Sequence, residues 1–182
     1  MNKLLLILIF AALTFASPAR AYLAYVSNEK GNTISIIDTD KLDVVATIKV
    51  GRRPRGVELN KDGSELYICA GDDDAIQVLD TKAQKIIGKL PSGPDPELLT
   101  LSPDGETIYV SNENDNLVTL IDIKRKDQIG DIPVGVEPEG MAISPDGKLL
   151  VNTSETTNMA HIIDTKTKTI IANILVDNRR SE

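Results

Sequence analysis

A 42-residue period runs along the chain without insertion or deletion. Asp38, Asp80, Asp122 and Asp164 are each 42 residues apart, as are Asp62-Gly63, Asp104-Gly105 and Asp146-Gly147. Gly51, Gly93 and Gly135 keep the same spacing, each followed three residues later by Pro54, Pro96 or Pro138. Tyr25, Tyr67 and Tyr109 extend the series, with Val151 at the fourth position. A fixed period of this length means that one small unit is stacked on copies of itself and buries its core against them.

Each unit holds four short apolar or β-branched runs separated by turn residues. In the third unit these are 98–102, closed by the Pro103-Asp104-Gly105 turn, then 107–111, 117–122 and 128–134. The third run is apolar at nearly every position, as in Ile34-Ser35-Ile36-Ile37 and Val118-Thr119-Leu120-Ile121. A strand covered on both faces has that pattern. No window carries the 3.6-residue period of a helical repeat, and the rungs of a β-helix are shorter. The expected fold is therefore all-β, a β-propeller of four-stranded antiparallel blades. The mature chain contains Tyr22, Tyr25, Tyr67 and Tyr109 but neither Trp nor Phe. Ile, Val and Leu must fill its core, which suits thin sheets stacked face to face.

The first 21 residues form an expected signal peptide. Lys3 precedes an apolar stretch over 4–15, too short to span a bilayer, and Ala19 and Ala21 make the small-x-small cleavage pattern. Cleavage after Ala21 predicts a periplasmic protein with no membrane span. Removing this segment takes away Lys3 and Arg20 and lowers the net charge from −7 to −9. Such a chain repels phosphate backbones, so nucleic acid is an unfavoured partner. Cys69 is the lone Cys. It has no disulfide partner within the chain and falls inside a predicted strand, where a small buried residue is expected.

At Tyr25-Val26-Ser27-Asn28 and Tyr109-Val110-Ser111-Asn112 the repeat resembles the YVTN family of β-propeller repeats. Its Gly-x-x-Pro, Ser-Pro-Asp-Gly and Ile-Asp-Thr elements are similar throughout residues 22–177. The stretch 152–161, with Arg52-Arg53-Pro54-Arg55-Gly56 and Gly93-Pro94-Asp95-Pro96-Glu97, is similar to the periplasmic propellers associated with PQQ-dependent catabolism. That resemblance implies an accessory or binding role. No cofactor is expected in the chain itself, while a partner would carry PQQ or haem: a periplasmic quinoprotein dehydrogenase or a c-type cytochrome.

The phase of the repeat predicts about 3.75 blades. Residues 22–50 supply the second, third and fourth strands of a first blade, and full blades follow at 56–92, 98–134 and 140–176. Propellers of this family usually have seven blades, so the chain reads as a partial ring or early-terminated chain. The alternatives are a strained four-blade ring and two half-rings that pair. Open blade edges and faces would favour self-association.

One rim of such a ring collects Arg52, Arg53, Arg55, Asp95, Glu97, Glu137 and Glu139, together with Glu29, Asp72-Asp73-Asp74, Glu113, Asp115 and Glu155. Lys82, Lys85, Lys124, Arg125, Lys126, Lys166 and Lys168 fall on the other. Arg55, Glu97 and Glu139 are equivalent repeat positions that would ring the channel mouth. The expected ligand- or partner-binding residues are Arg52, Arg53, Arg55, Glu97, Glu139 and His161, set against the plainer reading that Arg55 and Glu97 form a rim ion pair worth ~0–1 kcal/mol. Asp72, Asp73 and Asp74 are weak metal candidates, with a solvated hairpin tip as the competing reading. His161, the lone His, is a binding candidate or a hydrogen-bonded group between blades. Asn152 replaces the apolar residue at Val26, Ile68 and Val110 and is expected to brace the loop over 153–158. Asp38, Asp80, Asp122 and Asp164 end third strands before a turn, where they are expected to cap the chain reversal.

These features favour a non-catalytic periplasmic binding propeller serving PQQ-dependent alcohol oxidation. The alternatives are a metal-dependent, lactonase-like hydrolase and a single-stranded-DNA-binding YVTN propeller. Missing Trp argues against a PQQ-binding blade, the single Cys excludes Cys-x-x-Cys-His haem attachment, and no Gly-x-Ser-x-Gly elbow is present. The acidic charge and missing aromatic platforms disfavour DNA.

Overall fold

The computed structural model describes residues 22–176. The expected signal peptide and residues 177–182 lie outside the described residues. Among the described residues, fifteen strands form four antiparallel sheets. Blade 1 contains β1 (Leu23–Asn28), β2 (Thr33–Asp38) and β3 (Asp43–Lys49). Blade 2 contains β4 (Pro54–Leu59), β5 (Glu65–Ala70), β6 (Ala75–Asp80) and β7 (Lys85–Pro91). Blade 3 contains β8 (Pro96–Leu101), β9 (Thr107–Asn112), β10 (Leu117–Asp122) and β11 (Asp127–Pro133). Blade 4 contains β12 (Pro138–Ile143), β13 (Leu149–Ser154), β14 (Met159–Asp164) and β15 (Thr169–Leu175). Each full sheet runs in chain order from its inner to its outer strand, and blade 1 has no inner strand among the described residues.

The hairpins follow from local chemistry. Asp-Gly turns place Gly63, Gly105 and Gly147 at φ of 73°, 77° and 71°, a conformation open to glycine without steric cost. Third strands end in aspartates whose Oδ1 atoms accept turn amides: Asp38 from Lys41 at 3.0 Å, Asp80 from Ala83 at 2.6 Å, Asp122 from Arg125 at 2.7 Å and Asp164 from Thr167 at 2.8 Å. These carboxylates hold turns, which is the chemistry an Asx cap performs.

Three apolar layers lie between consecutive blades. Ile34 of blade 1 meets Leu66, Ile68 and Leu79 of blade 2. Tyr67, Cys69, Ile76, Val78 and Leu90 of blade 2 meet Leu99, Leu101, Ile108, Val110 and Ile121 of blade 3. Tyr109, Val118, Leu120 and Ile132 of blade 3 meet Leu150 and Ile163 of blade 4. The same repeat positions therefore meet at every junction. Burial, with the charge of Glu97 second, pushes the Cys69 thiol well above its ordinary range, so it is an inert core group.

The inner strands depart from regular pairing. Pro96 pairs with Asn112, but the next pair is Leu99 with Val110, so one extra residue sits on β8. The same shift falls between Pro54 and Val57 on β4 and between Pro138 and Met141 on β12. Each of these β-bulges re-aims a side chain at the centre of the ring. The side chains they re-aim are Arg55, Glu97 and Glu139.

Candidate functional site

The connections into the inner strands are pinned from both sides. Arg53, Asp95 and Glu137 occupy one repeat position at left-handed φ of 51°, 53° and 55°. Their amides donate to Asn32 Oδ1 at 2.9 Å, Asp74 Oδ1 at 3.0 Å and Asn116 Oδ1 at 3.1 Å, each from the preceding blade. Their carbonyls accept from the amides of Gly71, Glu113 and Glu155 in their own blades. This double tether holds non-glycine residues in a conformation they rarely adopt and fixes what their side chains face.

At the centre, Arg55 joins all four sheets. Its guanidinium bonds Glu97 of β8, reaches Glu29 of blade 1 at 3.2 Å and Glu139 of β12 at 3.5 Å. Arg53 bonds both Asp95 and Glu97, with Asp72 at 3.5 Å and Glu113 at 3.8 Å. The Glu97 side chain, only 1% exposed, is thus shared by two guanidiniums that are about a quarter to a third exposed. The Arg55–Glu97 pair is accordingly no rim pair: its acceptor lies in the interior. Ser27, Glu29, Pro54, Arg55, Gly56, Glu97, Leu98 and Glu139 line a cavity of about 270 Å³ here. Gly56 is part of the wall for a steric reason. A Cβ there would lie 2.8 Å from the Glu97 carbonyl oxygen and the Leu98 Cα, atoms that cannot swing aside.

The site holds more carboxylate than guanidinium charge, and its acids respond. Burial, then the hydrogen bond and negative charge of Glu97, push the Glu113 carboxyl up to about 7. Burial is likewise the main cause that raises Asp95 and Glu139, with neighbouring carboxylates adding to it.

The other expected site residues fall elsewhere. Arg52 is drawn to Asp73, with Nε–Oδ1 at 2.7 Å and its amide on Oδ2 at 2.8 Å. Asp72 faces Arg53 and Asp74 caps the Asp95 amide, so the three aspartates diverge to separate partners and do not converge on a cation. Asp95, Glu97 and Glu113 do converge, with carboxylate oxygens within 4.8 Å of one another. Arg53 already supplies positive charge to that group.

His161 is a structural hub of blade 4. Its Nε2 accepts from the Gly135 amide at 3.0 Å and lies 3.1 Å from Ser154 Oγ. That leaves the proton on Nδ1, which donates to Asn173 Oδ1 at 2.7 Å. Gln77 performs the same service two repeats earlier, accepting the Gly51 amide at 2.7 Å. Asn152 holds the Gly140 carbonyl at 3.1 Å, so it braces the β12 bulge and not the loop that follows. On the opposite rim the cations alternate with acids, as in Lys41–Asp38 at 2.8 Å, Arg125–Asp127 at 3.5 Å and Lys148–Asp146 at 3.0 Å. That rim is a mixed surface, not the basic one its lysines alone suggest.

Glu29 and Glu113 are the site members least legible in sequence. They sit at one repeat position, shared with Gly71 and Glu155, and only the stacking of blades brings them to the arginines.

The family model described as the seven-bladed β-propeller lactonase matches residues 95–171. A chain of the hydrazine synthase of Kuenenia stuttgartiensis is similar in structure, with a TM-score of 0.78 and 26% sequence identity. The fold is a β-propeller. The likeness covers 85% of this chain and 46% of that one, so this chain spans about half of the propeller protein it matches. No curated protein matches the chain in sequence. The lactonase match runs across blades 3 and 4 of the propeller and takes in Asp95, Glu97, Glu113 and Glu139.

Proposed function

We propose that the chain is a non-catalytic binding propeller whose channel mouth takes a cationic group of a ligand or partner protein. One observation carries this reading: Arg55 gathers carboxylates from the three other sheets at the lip of a polar cavity, and acids outnumber guanidiniums there. Glu29 and Glu139 are the more exposed members and are the contact groups, while Arg53, Arg55 and the buried Glu97 frame them. Arg52 shapes the rim through Asp73, and His161 supports blade 4 at a distance. With the expected export and the resemblance to propellers of PQQ-dependent catabolism, the proposed setting is periplasmic alcohol oxidation. The partner is then a quinoprotein dehydrogenase or a c-type cytochrome, and acidic complementarity mainly speeds and orients docking.

The test is calorimetric titration of a purified c-type cytochrome and a quinoprotein dehydrogenase into the protein at low and high salt. Glu29→Gln with Glu139→Gln should weaken binding about tenfold, roughly 1.4 kcal/mol, with the loss largest at low salt. Undiminished binding by the double variant would refute the site.

A second reading is lactone hydrolysis, favoured by the family match over blades 3 and 4. Asp95, Glu97 and Glu113 have the oxygen donors a hard cation prefers. Yet Arg53 bonds two of the three, so this arrangement does not fit a resident metal. Turnover of a lactone panel with added Ca²⁺ or Mg²⁺, lost in Asp95→Asn, would favour this reading over the binding one.

A further inference from the structure

Gly51 and Gly93 occupy one repeat position, and the side chains each faces in the blade it leads into differ in a telling way. A Cβ on Gly51 would lie 2.5 Å from Asp73 Oδ2, 2.9 Å from Ala70 Cβ and 3.0 Å from Gln77 Nε2. Donors meet the acceptors there. Asp73 takes the Arg52 amide at 2.8 Å and the Arg52 Nε at 2.7 Å, and Gln77 takes the Gly51 amide. The Arg52 amide above all, with the Arg52 guanidinium and then Lys89 adding to it, holds the Asp73 carboxyl below its ordinary value.

Blade 3 keeps the acid and loses its partners. Pro94 replaces Arg52 and offers neither an amide hydrogen nor a cation. Thr119 replaces Gln77, Asp131 replaces Lys89, and Asn112 replaces Ala70 with a further oxygen. A Cβ on Gly93 would lie 3.0 Å from Asn112 Oδ1 and 3.1 Å from Asp115 Oδ2, so both side chains face one small space. Asn112 is fully buried, and its Nδ2 donates to Ser92 Oγ at 3.0 Å. Among the described residues its Oδ1 has no hydrogen-bond partner, and neither has the buried Asp115 Oδ1. The Thr119 hydroxyl donates to Asp131 at 3.0 Å, and Gln128 donates to the same carboxylate. Burial, then the charge of Asp131, raises the Asp115 carboxyl. Acceptors buried in this way are costly unless something supplies the missing positive charge.

We infer that blade 3 binds a hard divalent cation, with Ca²⁺ the best fit, between Gly93, Asn112 and Asp115, where it plays the part that Arg52 plays in blade 2. Asn112 Oδ1 and the Asp115 carboxylate are the protein ligands, Asp131 adds charge from the outer side, and water completes the shell, as calcium's oxygen coordination allows. So few protein oxygens set a dissociation constant of about 0.1–1 mM, the range of extracellular calcium modules. The site is distinct from Asp95, Glu97 and Glu113, whose charge Arg53 already offsets, and does not depend on what the channel mouth binds.

Calorimetric titration of calcium chloride into the chelator-treated full chain provides the test, paired with thermal unfolding with and without excess calcium. The wild type should bind one ion and gain thermal stability from it. Asp115→Asn should weaken binding about tenfold, because ligand charge sets calcium affinity. Asn112→Ala, which installs the residue blade 2 carries, should weaken it severalfold. Pro94→Arg supplies the guanidinium that blade 2 has. It should abolish calcium binding and melt no lower than calcium-free wild type, a result that misfolding does not give. A wild type that neither binds calcium nor gains stability from it would overturn the inference and leave water as the occupant. Binding untouched by Asp115→Asn would overturn it too, as would binding lost in Asp95→Asn but kept in Asp115→Asn, which assigns the ion to Asp95, Glu97 and Glu113.

Discussion

Replacing Glu97 with Ala tests whether the centre of the site is a structural joint or a surface ornament. Glu97 comes from blade 3 and both of its guanidinium partners come from blade 2, so its loss acts on the junction between those blades. Removing one partner of a buried ion pair costs about 3–5 kcal/mol when the other charge is left bare. Here Arg53 keeps Asp95, and Arg55 keeps Glu29 and Glu139 at 3.2 and 3.5 Å. Both arginines are also partly solvated, which brings the expected cost down to about 2–3 kcal/mol. Glu97→Gln keeps one acceptor oxygen and should cost about half as much. With a urea m-value of about 2 kcal/mol/M, the alanine variant should lower the unfolding midpoint by roughly 1–1.5 M. Glu139→Gln, on a more exposed and longer contact, should stay within about 0.5 kcal/mol of wild type. A second readout is specific to the electrostatics: without the Glu97 charge, the Glu113 carboxyl should titrate below its value of about 7. Equal midpoints for Glu97→Ala and Glu139→Gln would refute the claim that Glu97 is a buried hub.

Two further outcomes follow from the same geometry. Because Glu113 is raised in the fold, its protonation favours the folded state: that contribution is complete below about pH 4.5 and is lost as pH rises through about 7. Urea midpoints at pH 5.0 and 7.5 should therefore differ less in Glu113→Gln than in wild type, and an unchanged difference would refute the assignment. At His161, Gln should be accepted within about 1 kcal/mol because Gln77 already caps Gly51 in this way, whereas Ala strands the Gly135 amide and Asn173 at a cost of about 2 kcal/mol. Thermal unfolding of the two variants checks the order, and equal losses would remove the equivalence.

Strand positions were legible because a β-branched run between turn residues has one reading, and the period of 42 repeated it. The predicted inner strand over 98–102 begins at Pro96 in the structure, and that small difference carries the site. The bulge between Pro96 and Leu99 shifts the register of β8 against β9 where Glu97 is buried and Leu98 is exposed. In β8 the bulge holds Glu97 and Leu98 and leaves no mark of its own, whereas β4 and β12 carry Gly56 and Gly140 at the equivalent of Leu98. The left-handed backbone at Arg53, Asp95 and Glu137 is equally silent, because the Asn or Asp of the preceding blade's loop enforces it.

Those loop residues show where more could have been read. Asn32, Asp74, Asn116 and Asn158 are themselves 42 residues apart and all adopt positive φ, the conformation Asn and Asp tolerate best. Three of them turn their side-chain oxygen onto the connection entering the next blade, so the repeat encodes the joint between blades as well as the blade. The site then arises from one departure superposed on that joint. Where blades 3 and 4 have Glu97 and Glu139, blade 2 has Arg55, and this single reversal of sign turns a ring of like-charged residues into a hub that ties four sheets together. Charge reversal at Arg55 would restore like charges at all three positions and set four carboxylates facing one another. The residue that breaks the repeat is therefore the one that offsets the repulsion among these carboxylates.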